Sequence, residues 1–221
     1  MKLVELIGLD YWRWRVYQVN NLIRVNVVPG KTGKLFTDLK FMALFFLQNR
    51  KKQKAMETYD LASASIKELE AEYTASKKCL ERIPESLYEY KPHPRSMGMG
   101  YLALLVAEIP LWITFMIEKG EVDFATYARY EWKTTQDLVD HFEECFQGAV
   151  KALKGVTAED LERPFYLKND GQVIFEIPQK DNLTMTINHW VHHRGQLTVY
   201  MRLNDIPVPS VYGPSADEKV F

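Results

Sequence analysis

DNLTMTINHWVHHRGQLTVYMRLN, residues 181–204, is the stretch whose reading settles the kind of fold. It reads as a long helix from Asp181, terminated by Asn204 and by Pro207 and Pro209 beyond it. Successive helical residues are offset by about 100°, so His189 and His193 project one above the other, with Gln196 and Tyr200 continuing the line. Two neutral imidazoles at this spacing form a metal clamp if a third ligand comes from another helix, and are costly if buried without partners. Arg194, about 140° from His189, is expected to face outward or to meet a partner. His192 falls to one side of the pair, as an interface or surface group. Gly195 inside a helix costs about 1 kcal/mol relative to Ala, which close helix approach would offset, within the chain or across a dimer.

Three further helices precede this one. Ala62, Ile66, Leu69, Tyr73, Ser76, Leu80 and Ile83 recur at spacings of four and three, the seam of a bundle helix that starts near Met56 and closes at Pro84. Ser96 is expected to cap a second helix reaching Glu118, with Leu102, Leu105, Ile109, Trp112 or Ile113, and Met116 turned inward and a kink at Pro110. Thr134 and Asp137 form a capping-box pattern for a third, whose core face is Leu138, Phe142, Cys145, Ala149 and Leu153. Phe165 to Ile177, around Asn169-Asp170-Gly171, reads as a small β-hairpin. The fold class is therefore all-α, an antiparallel four-helix bundle with one inserted hairpin.

Residues 1–55 are harder to read. Tyr11 to Val19 and Leu22 to Val28 permit a hairpin around Asn20-Asn21, and a helix through the first run is almost as good a reading. Gly30-Lys-Thr-Gly-Lys34 lacks both the first Gly and the Ser or Thr of a phosphate-binding loop and is taken as an exposed basic turn.

At 221 residues, 47% hydrophobic and 26% charged, the composition is that of a globular protein. Its net charge of −1 hides an asymmetry: residues 1–55 hold 11 basic and 3 acidic side chains (+8), and residues 56–221 hold 17 and 26 (−9). Cys79 and Cys145 are too few for a disulfide framework and are read as reduced thiols in a cytoplasmic protein. The longest apolar run noted, Phe41 to Leu47, is far short of a bilayer span, so no membrane segment is expected.

His189-Trp-Val-His-His-Arg-Gly-Gln-Leu197, Val199-Tyr-Met-Arg-Leu203, Val208-Pro209 and Tyr212-Gly-Pro-Ser-Ala-Asp-Glu218 together resemble the DinB family. So do Tyr90-Lys-Pro-His-Pro94 with Ser96-Met97, and Val106-Ala-Glu-Ile-Pro110. The resemblance covers about residues 56–221. It implies a four-helix bundle, commonly dimeric, in which three histidines hold a divalent metal of zinc or nickel type, and chemistry such as thiol transfer or hydrolysis. His189 and His193 match two of the ligands. Where the family's second helix carries the third, this chain reads Leu102-Ala-Leu-Leu-Val-Ala-Glu108, with Leu105 at the ligand position.

Glu108, one turn on, or His141 on the third helix would have to substitute, and Glu108 is the candidate catalytic base. The expected pocket is lined by Leu105, Glu108, His189, His193, Gln196 and Tyr200; its small-molecule ligand is unspecified. The competing reading is a metal-free binding or interaction bundle. Two domains are expected: 1–55, a basic upstream extension, and 56–221, the bundle. The cluster Arg50-Lys51-Lys52 suits phosphates, but an extension explains the basic segment better than nucleic-acid binding does. A homodimer is expected.

Overall fold

A computed structural model describes residues 3–7, 13–19, 22–27 and 35–219. The chain divides into two compact units, Met1–Lys51 and Lys52–Phe221. The first contains an antiparallel sheet of β1 (Leu3–Ile7), β2 (Arg13–Val19) and β3 (Leu22–Val27), in that order. β2 and β3 are the two runs expected to pair, with Val19 opposite Leu22, and the helical alternative for the first run does not occur. The Asn20-Asn21 turn and the basic turn at 30–34 lie outside the described residues.

Helix α1 runs from Leu35 to Glu81, so the expected start near Met56 is corrected by some twenty residues. Nothing between those positions stops a helix: the stretch has no Pro or Gly. From Lys52 onward the second unit comprises the rest of α1, α2 (Met99–Glu118), α3 (Thr135–Gly155), the one-turn α4 (Ala158–Glu162) and α5 (Gln179–Leu203). With them is a small sheet of β4 (Glu121–Asp123), β5 (Pro164–Asn169) and β6 (Gln172–Pro178). The later part of α1, with α2, α3 and α5, forms the bundle.

α2 is the central member, packed against both α3 and α5. Its apolar composition follows: Leu102, Leu104, Val106, Ile109, Ile113 and Met116 are all buried, on more than one face. It is long and apolar enough to cross a membrane, with mean hydropathy 1.8, and 67% of that window is buried inside the fold. The sequence reading missed this helix as a candidate span; its burial as a core helix accounts for the composition.

Ser96 does not cap α2. The helix starts at Met99 after Gly98, and backbone carbonyls do the capping: the Met99 amide donates to Tyr90 O (2.9 Å) and the Gly100 amide to Tyr88 O (2.9 Å). This needs the preceding loop to lie against the helix start, and a Cβ on Gly100 would stand 2.9 Å from that of Tyr88, so only Gly fits. The helix continues through Pro110, which has no N–H for the carbonyl of Val106. The Trp190 indole Nε1–H on α5 donates to that carbonyl instead, at 2.9 Å. One buried acceptor left over by Pro110 thus ties α2 to α5.

α3 opens as expected, with the Asp137 amide donating to Thr134 Oγ1 and the Thr134 amide donating to the Asp137 carboxylate. Thr157 and Asp160 repeat the arrangement at α4. The hairpin is β5–β6, and its turn places Asp170 (φ 52°) and Gly171 (φ 74°) in the left-handed region. β4, not expected, pairs parallel with β5, and the Asp123 carboxylate at its end accepts from the amides of Ala125, Asp170 and Gly171, holding the turn.

The tail after α5 is clasped by its own acids. Glu218 accepts from the Arg82 guanidinium, from Lys78 Nζ (3.2 Å) and from the Ser210 amide (3.1 Å). Arg82 above all lowers the Glu218 pKa from 4.5 to about 2. Between those values the unfolded chain binds more protons than the folded one. The stabilisation is therefore complete above about pH 4.5 and disappears as pH falls towards 2. Glu218→Gln is expected to melt at a lower temperature than wild type at pH 7, with the gap closing below pH 4.5; melting curves that stay parallel down to pH 3 would contradict the clasp.

Candidate functional site

α5 brings His189, His193 and Gln196 together as their spacing requires. With Gln196 Oε1 as acceptor at 2.8 Å, His193 Nδ1 is the donor, which leaves a lone pair on His193 Nε2. His189 Nε2 is 2.8 Å from that lone pair and donates to it. Burial, followed by the neighbouring imidazoles, lowers the pKa of His189; burial also lowers that of His193, against the opposing effect of the Gln196 hydrogen bond. Both rings are therefore neutral at neutral pH, and one proton lies between their facing nitrogens. Trp112 of α2 places its ring edge against His189, with centroids 5.9 Å apart. His192 is exposed beside the pair.

The other expected residues fall differently. Leu105 is half-buried and packs against the core. Tyr200 leaves the histidine group: its hydroxyl donates to Met97 O (3.2 Å) and its ring meets Tyr90. Glu108 turns to α3, where His141 Nε2 lies 3.3 Å from its carboxylate, and both side chains are nearly inaccessible. The ring of Tyr130 lies flat on His141, 3.8 Å away and within 2° of parallel. Cys145, one turn along α3, is 3.6 Å from His141 Nε2. Burial, then the charges of Glu108 and Glu144, push the Cys145 thiol up to about 12, so it remains protonated and is no nucleophile in this state. The Tyr127 hydroxyl is buried near Glu108 without completing a hydrogen bond to it; burial and that carboxylate raise its pKa.

Where a three-ligand centre was expected, the side chains thus form two separate hydrogen-bonded pairs, His189 with His193 and Glu108 with His141. Among the described residues no group of three or more His, Cys, Asp or Glu could hold a metal ion. Leu105 offers no donor atom, so the residues present do not fit a three-ligand site.

Two expectations for α5 are corrected. Arg194 does not face outward but is 2% exposed, in an ion pair with Glu72 of α1, which is 6% exposed. The guanidinium also donates to Glu72 O, Ser76 Oγ and, at 2.9 Å, the Tyr212 hydroxyl, which in turn donates to Glu72 Oε1. The 140° rule fails because α5 is covered on two sides, by α2 on one and by α1 with the tail on the other. Within the chain Gly195 is not at a close helix approach, since a Cβ there would meet nothing of this chain within 4 Å. Around it, Met185, Val199 and Leu203 are exposed apolar side chains of the same helix.

Comparison with known proteins decides the family, since a DinB family profile matches residues 49–219. The chain belongs to the DinB family. It is 27% identical over 161 residues to the uncharacterised protein YrdA of Bacillus subtilis strain 168, covering 69% of this chain and 89% of that one. The crystal structure of the DinB-like protein YjoA from Bacillus subtilis is similar in fold, with a TM-score of 0.55 at 20% identity, over 71% of this chain and 99% of that one. A DinB-like protein from Bacillus cereus ATCC 10987 aligns with a TM-score of 0.49 at 23% identity, over 66% of this chain and 91% of its own. The family match and the YjoA structure show the mainly helical DinB fold with its small three-stranded sheet.

Tyr127 beside Glu108 and Tyr130 against His141 were not anticipated. They lie between β4 and α3, in a segment without periodicity, and no sequence signal marks them.

Proposed function

We propose that this DinB chain is a metal-free binding bundle, one that keeps the scaffold and two of the three expected histidines without metal-dependent chemistry. The observation that supports this reading is the fate of the third position: Leu105 stands there, and the nearest acid on the same helix, Glu108, is engaged by His141. In that setting His189, His193 and Gln196 act as a fixed hydrogen-bonding group, held neutral by burial, that can accept or donate at one face of α5. A second reading, a metal-dependent hydrolase or thiol transferase using zinc or nickel, draws on the approach of the two Nε2 atoms to 2.8 Å.

Metal content of untagged full-length protein separates the two. The expected result is substoichiometric zinc and nickel in wild type and in His189→Ala, and uptake of metal by Leu105→His, whose added imidazole completes the set. Stoichiometric metal in wild type that is lost in His189→Ala would overturn the metal-free reading.

A further inference from the structure

The second unit contains a cavity that none of these residues touch. It has a volume of about 650 Å³ and lies between Ala62–Glu70 of α1 and the junction of α3 with α4, Leu153 to Ala158. Its origin is visible in the sequence. The wall on α1 begins Ala62-Ser63, and the facing wall includes Ala158, where a bundle seam would normally carry larger side chains. The cavity is half open to solvent, so the apolar side chains that line it meet water when it is empty, and covering them is favourable. The volume is within the range of small-molecule pockets.

Its chemistry is two-sided. Ala62, Ile66, Leu153 and Val156 give an apolar floor. At the rim stand Lys67 from one wall and Lys154 from the other, both exposed and neither with an ion-pair partner among the described residues. Glu70 is the single carboxylate in the lining, which leaves the rim with an excess positive charge. Long lysine stems can lie along an apolar wall while the ammonium stays in water, so both can reach an anion at the mouth.

From this juxtaposition of an apolar floor and two unpaired lysines we infer that the cavity binds an amphipathic monocarboxylate, an aliphatic acid of medium chain length. Its tail fills the space left by Ala62, Ser63 and Ala158, and its carboxylate meets Lys67 and Lys154. This does not rest on the reading of the histidine pair.

The test is calorimetric titration of the full-length protein with decanoate, below its micelle-forming concentration, with decanol as the uncharged comparison. Saturable uptake of decanoate, tighter than that of decanol, is expected. Lys67→Glu and Lys154→Glu should each weaken decanoate by about fivefold, the upper end for exposed ion pairs, and leave decanol unchanged. Ser63→Phe, which fills the floor, should abolish uptake of both ligands while the far-ultraviolet circular dichroism stays that of wild type. The inference is overturned if wild type takes up no decanoate, if decanol binds as tightly as decanoate, or if the lysine variants bind decanoate as wild type does. Should Ser63→Phe not fold, the lysine variants and the decanol comparison still decide.

Discussion

Arg194→Met destabilises the protein by about 3–5 kcal/mol at pH 7, the expected result of leaving Glu72 buried without its counter-ion. Both partners are almost inaccessible, so water cannot take over the interaction, and the Tyr212 hydroxyl loses an anchor at the same time. The double variant Arg194→Met with Glu72→Met should recover most of the loss, because a pair of apolar side chains removes both desolvation penalties together. Urea unfolding of the three variants measures this. A single variant within about 1 kcal/mol of wild type, or a double variant no better than the single, would show that the pair is not the buried anchor described.

Trp190→Phe is expected to cost about 3 kcal/mol, in two parts. The carbonyl of Val106 loses the indole donor and is left unsatisfied, a loss of about 1–3 kcal/mol, and the smaller ring leaves a void among Phe142 and its neighbours. The first part can be isolated. Pro110→Ala supplies a backbone N–H for the same carbonyl, so in the Pro110→Ala background Trp190→Phe should cost less by about 1 kcal/mol or more. Strict additivity of the two substitutions in denaturant unfolding would mean that the indole hydrogen bond does not compensate for the proline.

Much of this architecture is legible in the chain because its signals are local. The seam from Ala62 to Ile83, the capping box at Thr134 and the Asn169-Asp170-Gly171 turn each lie within a few residues of what they specify. The capping pair Thr157 and Asp160 was equally visible, but α4 is too short to add a periodic stripe. β4 has only three residues, and its partner lies more than forty positions away in β5. For the candidate site, the reading placed His189 and His193 side by side because a single helix fixes their spacing. It could not place Glu108, whose partner depends on how α3 is rotated against α2, and the structure gives that partner as His141. Arg194 was misread for a related reason: helical geometry gives an angle around the axis, whereas burial depends on how many neighbours the helix has.

The carboxylate of Glu108 also bears on the chain before it has folded. α2 is a 20-residue helix apolar enough to span a bilayer, and it leaves the ribosome ahead of α3 and α5, the elements that cover it. Until they arrive, Glu108 is a bare charge close to the middle of that segment, and an ionised side chain at the centre of a spanning helix opposes insertion by about 2.5–3.5 kcal/mol. Its later partner His141 belongs to the next helix to be synthesised. The acid that ends up shielded in the bundle thus stands, while the helix is uncovered, at the depth of a spanning segment where a charge costs most.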